Sequence, residues 1–171
     1  MLVGLVLLYV GMVLFQNGLW LLGRIGDREV ALPNFFSGAV LALVSLDLVM
    51  GGTLTLGAIK SAALILLFGI TFLWVGFNQL NGNDGRGLGW YCLSVVAILL
   101  PITIESFRAA ATVWDHWFAL CWLLWATLYA MFFLLLVKGM RIGRPTGWMA
   151  LFNSVVTGLL PGYLLLGGHL A

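Results

Sequence analysis

The chain has 171 residues, 63% of them hydrophobic and 8% charged, with a mean hydropathy of +1.11. A soluble domain carries about 25% charged residues, and six acidic with eight basic side chains are too few to cover the wetted surface of a domain this long. Composition therefore excludes a soluble enzyme, a disordered tail and a disulfide scaffold, and a net charge of +2 gives no reason to expect nucleic acid as a partner.

Six apolar runs reach the roughly 20 residues that a spanning helix needs, which predicts an all-α integral membrane protein. The first covers about 2–22. It lacks the basic start and small-residue cleavage site of a signal peptide, and Arg24 and Arg28 follow it as an anchor. Leu7, Val10 and Leu14 form a stripe on it at 3–4 spacing, with Asn17 beyond. After Gly23-Arg24-Ile25-Gly26-Asp27-Arg28, the second run covers about 31–50 and holds Asp47. An ionisable residue at that depth is costly. Asp47 is read either as part of a pathway or as a helix-end group that caps or pairs with Lys60. Gly51-Gly52 breaks the chain before a third run, about 55–78, in which Trp74 lies one turn after Ile70 and Asn78 and Gln79 close the helix.

The glycine-rich stretch Asn81–Gly87 precedes a fourth run at about 88–107. Glu105, Asp115 and His116 cluster at the next short connection, where the expected role is a solvated helix end. The fifth run, about 114–137, carries Trp122, Trp125 and Tyr129 at i, i+3 and i+7 beside Leu128. The sixth, about 146–168, follows Gly143-Arg144-Pro145. Continuous rather than alternating apolarity disfavours a β-barrel. Cys92 and Cys121 sit inside apolar runs and read as small core residues. No spacing of acids, bases or nucleophiles reads as a catalytic or metal site, and no cofactor is expected.

Orientation follows from the basic residues of the connections. The first, third and fifth carry six lysines and arginines; the second and fourth carry Lys60 and Arg108 only. The odd connections are expected in the cytoplasm and both termini on the outer side. The same connections group the helices into three hairpins, about 2–50, 55–107 and 114–168, within a single domain over 1–171. Their first helices share Leu7-Leu8-Tyr9, Leu66-Leu67-Phe68 and Leu123-Leu124-Trp125, and an aromatic opens each second helix. Such a repeat predicts a pathway at the interface between repeats.

Trp20, Trp90, Trp114, Trp117 and Trp148 fit an interfacial belt, whereas Trp74, Trp122, Trp125 and Tyr129 lie in the helix bodies. Their stripes read either as packing and lipid-facing surface or as pore lining. As lining, Leu7, Val10, Leu14, Ile70, Trp74, Trp122, Trp125, Leu128 and Tyr129 would offer an ion nothing in exchange for its hydration shell. A small, flat, neutral solute loses far less, and Asn17, Asn78 and Gln79 would offer it amide hydrogen bonds toward the cytoplasm.

These residues resemble the AmiS/UreI family of bacterial urea and amide channels over essentially the whole chain. Gly4-Leu5-Val6-Leu7-Leu8-Tyr9-Val10-Gly11 with Asn17-Gly18, then Asn34-Phe35-Phe36-x-Gly38, look like its first two helices. Leu67-Phe68-Gly69-x-Thr71 with Asn78, Trp90-Tyr91, Trp122-x-x-Trp125, Pro145-Thr146, Trp148 and Pro161 follow in family order. The resemblance implies a six-helix protomer with its own pore, a homo-hexameric ring with lipid in the middle, and the same nine lining residues. It also implies a bacterial inner membrane and a cytoplasmic amidase or urease drawing solute downhill. Three departures stand out. The connection after the second helix, about Met50 to Lys60, is short and without histidine, so no acid gate is expected in it. Ile70 and Tyr129 stand where the urea channels carry Phe and Trp, and Asn153, a further member of the polar pathway, stands where they carry a glutamate. The expected function is a passive channel for urea or short amides such as acetamide. The alternatives are an ion- or proton-coupled amide carrier using Asp47, or a non-conducting accessory subunit.

Overall fold

A computed structural model of the protein describes residues 2–51 and 54–169; the expected break at Gly51-Gly52 lies partly outside them. Among the described residues six helices are long and apolar enough to cross a membrane: α1 (Leu2–Leu21), α2 (Asp27–Met50), α3 (Leu56–Asn81), α4 (Arg86–Ala109), α5 (Val113–Leu136) and α6 (Gly143–Leu166). Within α6 the stretch Ser154–Leu159 is wound as a π-helix.

The helix ends have local causes. α2 starts about one turn earlier than the hydrophobic run, because Asp27 and Glu29 in its first turn favour the positive end of the helix dipole. α6 likewise begins at Gly143, with Pro145 in the first turn, where no amide donor is missed. Between α3 and α4 the chain turns on Gly82 and Gly85, both left-handed at φ +65° and +74°. Asp84 in that turn accepts from the Arg86 amide at 3.0 Å and from its Nε at 2.7 Å, which holds the carboxyl below its usual range. Thr112 and Asp115 cap α5 reciprocally, the Thr112 amide donating to Asp115 and the Asp115 amide to the Thr112 hydroxyl.

Small residues decide which helices pair. Without a hydrophobic drive between helices in lipid, close backbone approach depends on them. Gly4, Gly11 and Gly18 recur every seven residues on α1 and meet Gly162, Gly158 and Gly147 of α6; a Cβ on Gly11 or Gly158 would overlap the partner's backbone. Gly38 of α2 lies against the Gly69 carbonyl of α3, and Gly76 against Ala31 and Phe35. Gly89 of α4 meets Leu136 and Val137 at the end of α5. The closest pairs are therefore α1/α6, α2/α3 and α4/α5. The hairpins read from the odd connections are continuous in the chain but are not these packing units, because the glycine faces sit on the other side of each helix.

Between α1 and α2 contact is looser and polar. Asn17 and Asn34 exchange side-chain bonds at 3.2 and 2.6 Å, and Asn34 also donates to the Val30 carbonyl. Both asparagines are buried, and each supplies the partner that the other's amide needs.

Candidate functional site

α1, α3 and α5, one from each close pair, enclose three cavities that follow one another through the molecule. The first, about 150 Å³ and called the outer cavity after the orientation expected from the basic connections, is walled by Val6, Leu7 and Val10 of α1, Leu64, Ile65 and Phe68 of α3, and Phe118, Trp122 and Trp125 of α5. The middle one is only about 30 Å³, lined by Leu14, Asn17, Phe68, Thr71, Phe72, Trp125, Leu128 and Tyr129, with Leu88 and Cys92 from α4. A volume of that size admits about one or two water molecules. The third, about 280 Å³, opens between Trp20, Asp27, Asn78, Gln79, Asn83 and Asp84. Phe68 and Trp125 are common to the first two; Val75, Leu88 and Phe132 are common to the second and third.

The rings at the first partition lock one another. Phe68 meets Trp125 edge to face at 5.0 Å and Tyr129 at 5.5 Å, and Trp122 meets Trp125 at 5.0 Å. Such edge-to-face pairs fix ring orientation as well as adding energy.

The polar atoms of the narrow wall are already engaged. The Thr71 hydroxyl donates to the Leu67 carbonyl at 2.8 Å, so the Tyr129 hydroxyl, 2.8 Å away, donates to Thr71. Trp125 gives its indole N–H to Thr157 at 2.8 Å, and Thr157 donates onward to the Asn153 carbonyl at 2.6 Å. Asn17 is bound to Asn34. The wall presents carbon and ring faces to the space it encloses, with few uncommitted donors or acceptors.

The geometry sorts the residues named from sequence. Leu7, Val10 and Trp122 face the outer cavity; Leu14, Asn17, Leu128 and Tyr129 face the middle one; Trp125 faces both. Ile70 and Trp74 do not reach the series. Ile70 points outward, 42% exposed, and Trp74 packs on Tyr91 at 5.8 Å and beside Gly87. The inward stripe of α3 is Phe68, Thr71, Phe72 and Val75. Ile70 and Trp74 stand two positions beyond Phe68 and Phe72, about 200° round the helix.

Asn78 and Gln79 face the inner cavity, where the Asn78 side-chain Oδ1 also accepts from the Asn83 side-chain Nδ2 at 3.2 Å. Asn153 is fully buried between α5 and α6, donating to the Leu124 carbonyl at 3.0 Å, and lines none of the three cavities. Asp47 is exposed near the C-terminal end of α2, also outside the series. Its expected pairing with Lys60 is replaced by a Lys60–Glu105 bridge of 3.0 Å, which joins α3 to α4. Sequence reasoning missed Phe68, Thr71, Phe72, Val75 and Thr157. For the α3 residues the signal was Gly69 and Gly76, seven apart, which mark the α2-facing side and hence the helix rotation.

Known proteins are similar to this chain in sequence and fold. Residues 2–169 match the profile of the AmiS/UreI family transporters. An amidate-substrates transporter protein of Mycolicibacterium smegmatis is 38% identical over 167 residues, 97% of this chain and 77% of that one. The transporter protein AmiS2 of Rhodococcus erythropolis is 38% identical over 164 residues, 95% and 78% of the two chains. The acid-activated urea channel of Helicobacter pylori is 29% identical over 192 residues, 97% and 98% of the two. The crystal structure of the H. pylori urea channel superposes with a TM-score of 0.87 at 31% identity, covering 99% of each chain.

Proposed function

The chain belongs to the AmiS/UreI family of transporters, and we propose that it is a passive channel for urea and short aliphatic amides such as acetamide. The observation that carries this reading is the run of three cavities between α1, α3 and α5, narrowest where Phe68, Trp125 and Tyr129 meet. An ion entering an apolar slot of about 30 Å³ surrenders its hydration and finds few uncommitted dipoles in return. A planar amide is neutral, exposes two flat faces to the rings, and sheds fewer water contacts. Weak binding then favours fast passage, since a solute held by many bonds would leave slowly.

Transport is downhill, into a cytoplasm where an amidase or urease consumes the solute. Asp47 lies outside the cavities, which argues against ion or proton coupling through it; Asp47→Asn keeps the flux of a channel, whereas a coupled carrier would lose accumulation. The excess of basic residues in the odd connections supports an orientation with both termini on the outer face of a bacterial inner membrane. The outward apolar side chains, among them Phe36, Trp90 and Trp148, suit contact with lipid and with neighbouring copies in a homo-hexameric ring. Only a few residues separate α2 from α3, none of them histidine, so the acid response named for the H. pylori relative is not proposed for this chain.

The test is stopped-flow light scattering on proteoliposomes with urea, acetamide and glycerol, at pH 5 and 7.5. Fast entry of urea or acetamide, slow entry of glycerol and no dependence on pH are expected. Flux no greater than in empty liposomes refutes the channel.

A further inference from the structure

We propose that Thr157, held in the π-helical segment of α6, is a positioning residue that sets the solute-size selectivity of the channel by fixing Trp125. The inference rests on reading the cavity series as the solute pathway.

Thr157 is fully buried and touches none of the three cavities. Its hydroxyl nevertheless stands behind the partition ring. The Asn153 carbonyl, 2.6 Å away, only accepts, so the Thr157 proton is committed to it. The remaining lone pairs face the Trp125 indole nitrogen at 2.8 Å, which only donates. The order indole N–H to hydroxyl to carbonyl is thus fixed, and the hydroxyl has no alternative role. Turning the indole over would carry its N–H away from Thr157 and break this bond, at a cost. One hydroxyl therefore selects the orientation that places Trp125 edge to face with Phe68 at 5.0 Å, at the partition between outer and middle cavities.

The π-helical winding fits this role. Such segments are rare and are found frequently at functional sites. Here the segment receives a second indole: Trp117 donates to the Val156 carbonyl at 3.0 Å. Two tryptophans eight residues apart on α5 thus converge on adjacent residues of the π-helix. Asn153, just before it, donates to the Leu124 carbonyl at 3.0 Å and so ties α6 to the residue preceding Trp125. Backbone and ring of the partition are anchored at one place. Gly158, the next residue, lies against Gly11 of α1, so the anchor is itself held from the far side.

The test compares Thr157→Val, which keeps the shape and removes the hydroxyl, with Thr157→Ser, which keeps the hydroxyl. Proteoliposome fluxes of urea, acetamide and propionamide are measured together with resonance Raman spectra of the indole N–H. Thr157→Val is expected to lower the urea-to-propionamide ratio about tenfold, the lower end of what one methylene is worth in a tight apolar site, with loss of one hydrogen-bonded indole. Thr157→Ser is expected to keep the wild-type ratio and spectrum. If Thr157→Val does not fold, benzothienylalanine at position 125 deletes the N–H and leaves α6 intact, with the same expected loss of selectivity. A wild-type ratio in either N–H-free or hydroxyl-free protein overturns the inference, as does an equal change in the Val and Ser variants. If the wild-type protein passes neither urea nor acetamide, the channel reading falls and this inference with it; if it conducts and the ratio is unmoved by Val, only this inference falls.

Discussion

Phe68 and Ile70 are two residues apart on α3, and they give the sharpest test of which face of that helix lines the pathway. Phe68 is 7% exposed and bounds both the outer and the middle cavity, whereas Ile70 is 42% exposed on the opposite side. Phe68→Ala would cost about 3–5 kcal/mol of stability, so Phe68→Leu is the better perturbation. It removes two edge-to-face contacts, with Trp125 and Tyr129, worth about 0.5–1.5 kcal/mol each, and leaves an aliphatic side chain in place. The partition between cavities of about 150 and 30 Å³ is lost. One methylene in a tight apolar site discriminates by roughly 10- to 200-fold. Phe68→Leu should therefore reduce the acetamide-to-propionamide flux ratio in proteoliposomes to a few-fold, while urea flux rises or holds. Ile70→Ala, altering only the outward face, should leave every ratio within about twofold of wild type, because no cavity atom moves. If Ile70→Ala changes the ratios and Phe68→Leu does not, the rotation assigned to α3 is wrong and with it the assigned wall.

Two further outcomes follow from the packing. Asn17→Ala strands the Asn34 carbonyl, although the Asn34 amide keeps the Val30 carbonyl; a loss of about 1–2 kcal/mol is expected in detergent unfolding, and the double variant with Asn34→Ala should lose less than the two single losses combined. Gly158→Ala sets a methyl group into the backbone of Gly11, where overpacking costs about 1–3 kcal/mol or more. Its thermal midpoint should fall well below that of Gly143→Ala, a helical glycine with nothing within 4 Å of the added carbon, and equal midpoints would refute the α1/α6 contact.

How far the sequence could be read depended on contrast. The six spans were legible to within a few residues because each apolar run ends in glycine, proline or charge. On α1, Leu7, Val10 and Leu14 stood out at helical spacing, and on α5 the aromatics Trp122, Trp125 and Tyr129 marked one face; all six lie on cavities. α3 offered no such mark. From Ala62 to Phe77 nearly every side chain is apolar, and in a bilayer the lipid-facing side is as apolar as the interior, so periodicity carries little information. Depth alone picks out Trp74 with Ile70 one turn before it, and that choice sets the rotation about 200° from the cavity-facing stripe. The glycines at 4, 11 and 18 held the missing information on pairing, because a seven-residue repeat of the smallest side chain marks a face against another backbone. The π-helical turn and the partners of Asn153 were not legible, since both depend on how α5 and α6 meet.

The same small residues that close the helix pairs account for the hollow between them. Glycine on α1, α3 and α6 lets backbones touch within the pairs α1/α6 and α2/α3, while α1, α3 and α5 turn Leu, Phe, Trp and Tyr toward one another. Large rings on three separate scaffolds cannot interdigitate as completely as glycine faces can, and the mismatch remains as space. In a soluble protein such space would collapse or destabilise the core. Here three of the rings that border it are tied down, Trp125 by Thr157 behind the wall, Tyr129 by Thr71 within it, and Phe68 by both rings. Bonds within the wall and to the layer behind it hold the rings in place and leave few free donors or acceptors facing the cavities. Selection then falls to size and flatness at the rings, and variants of the anchoring hydroxyls should alter which solutes pass more than how tightly any of them binds.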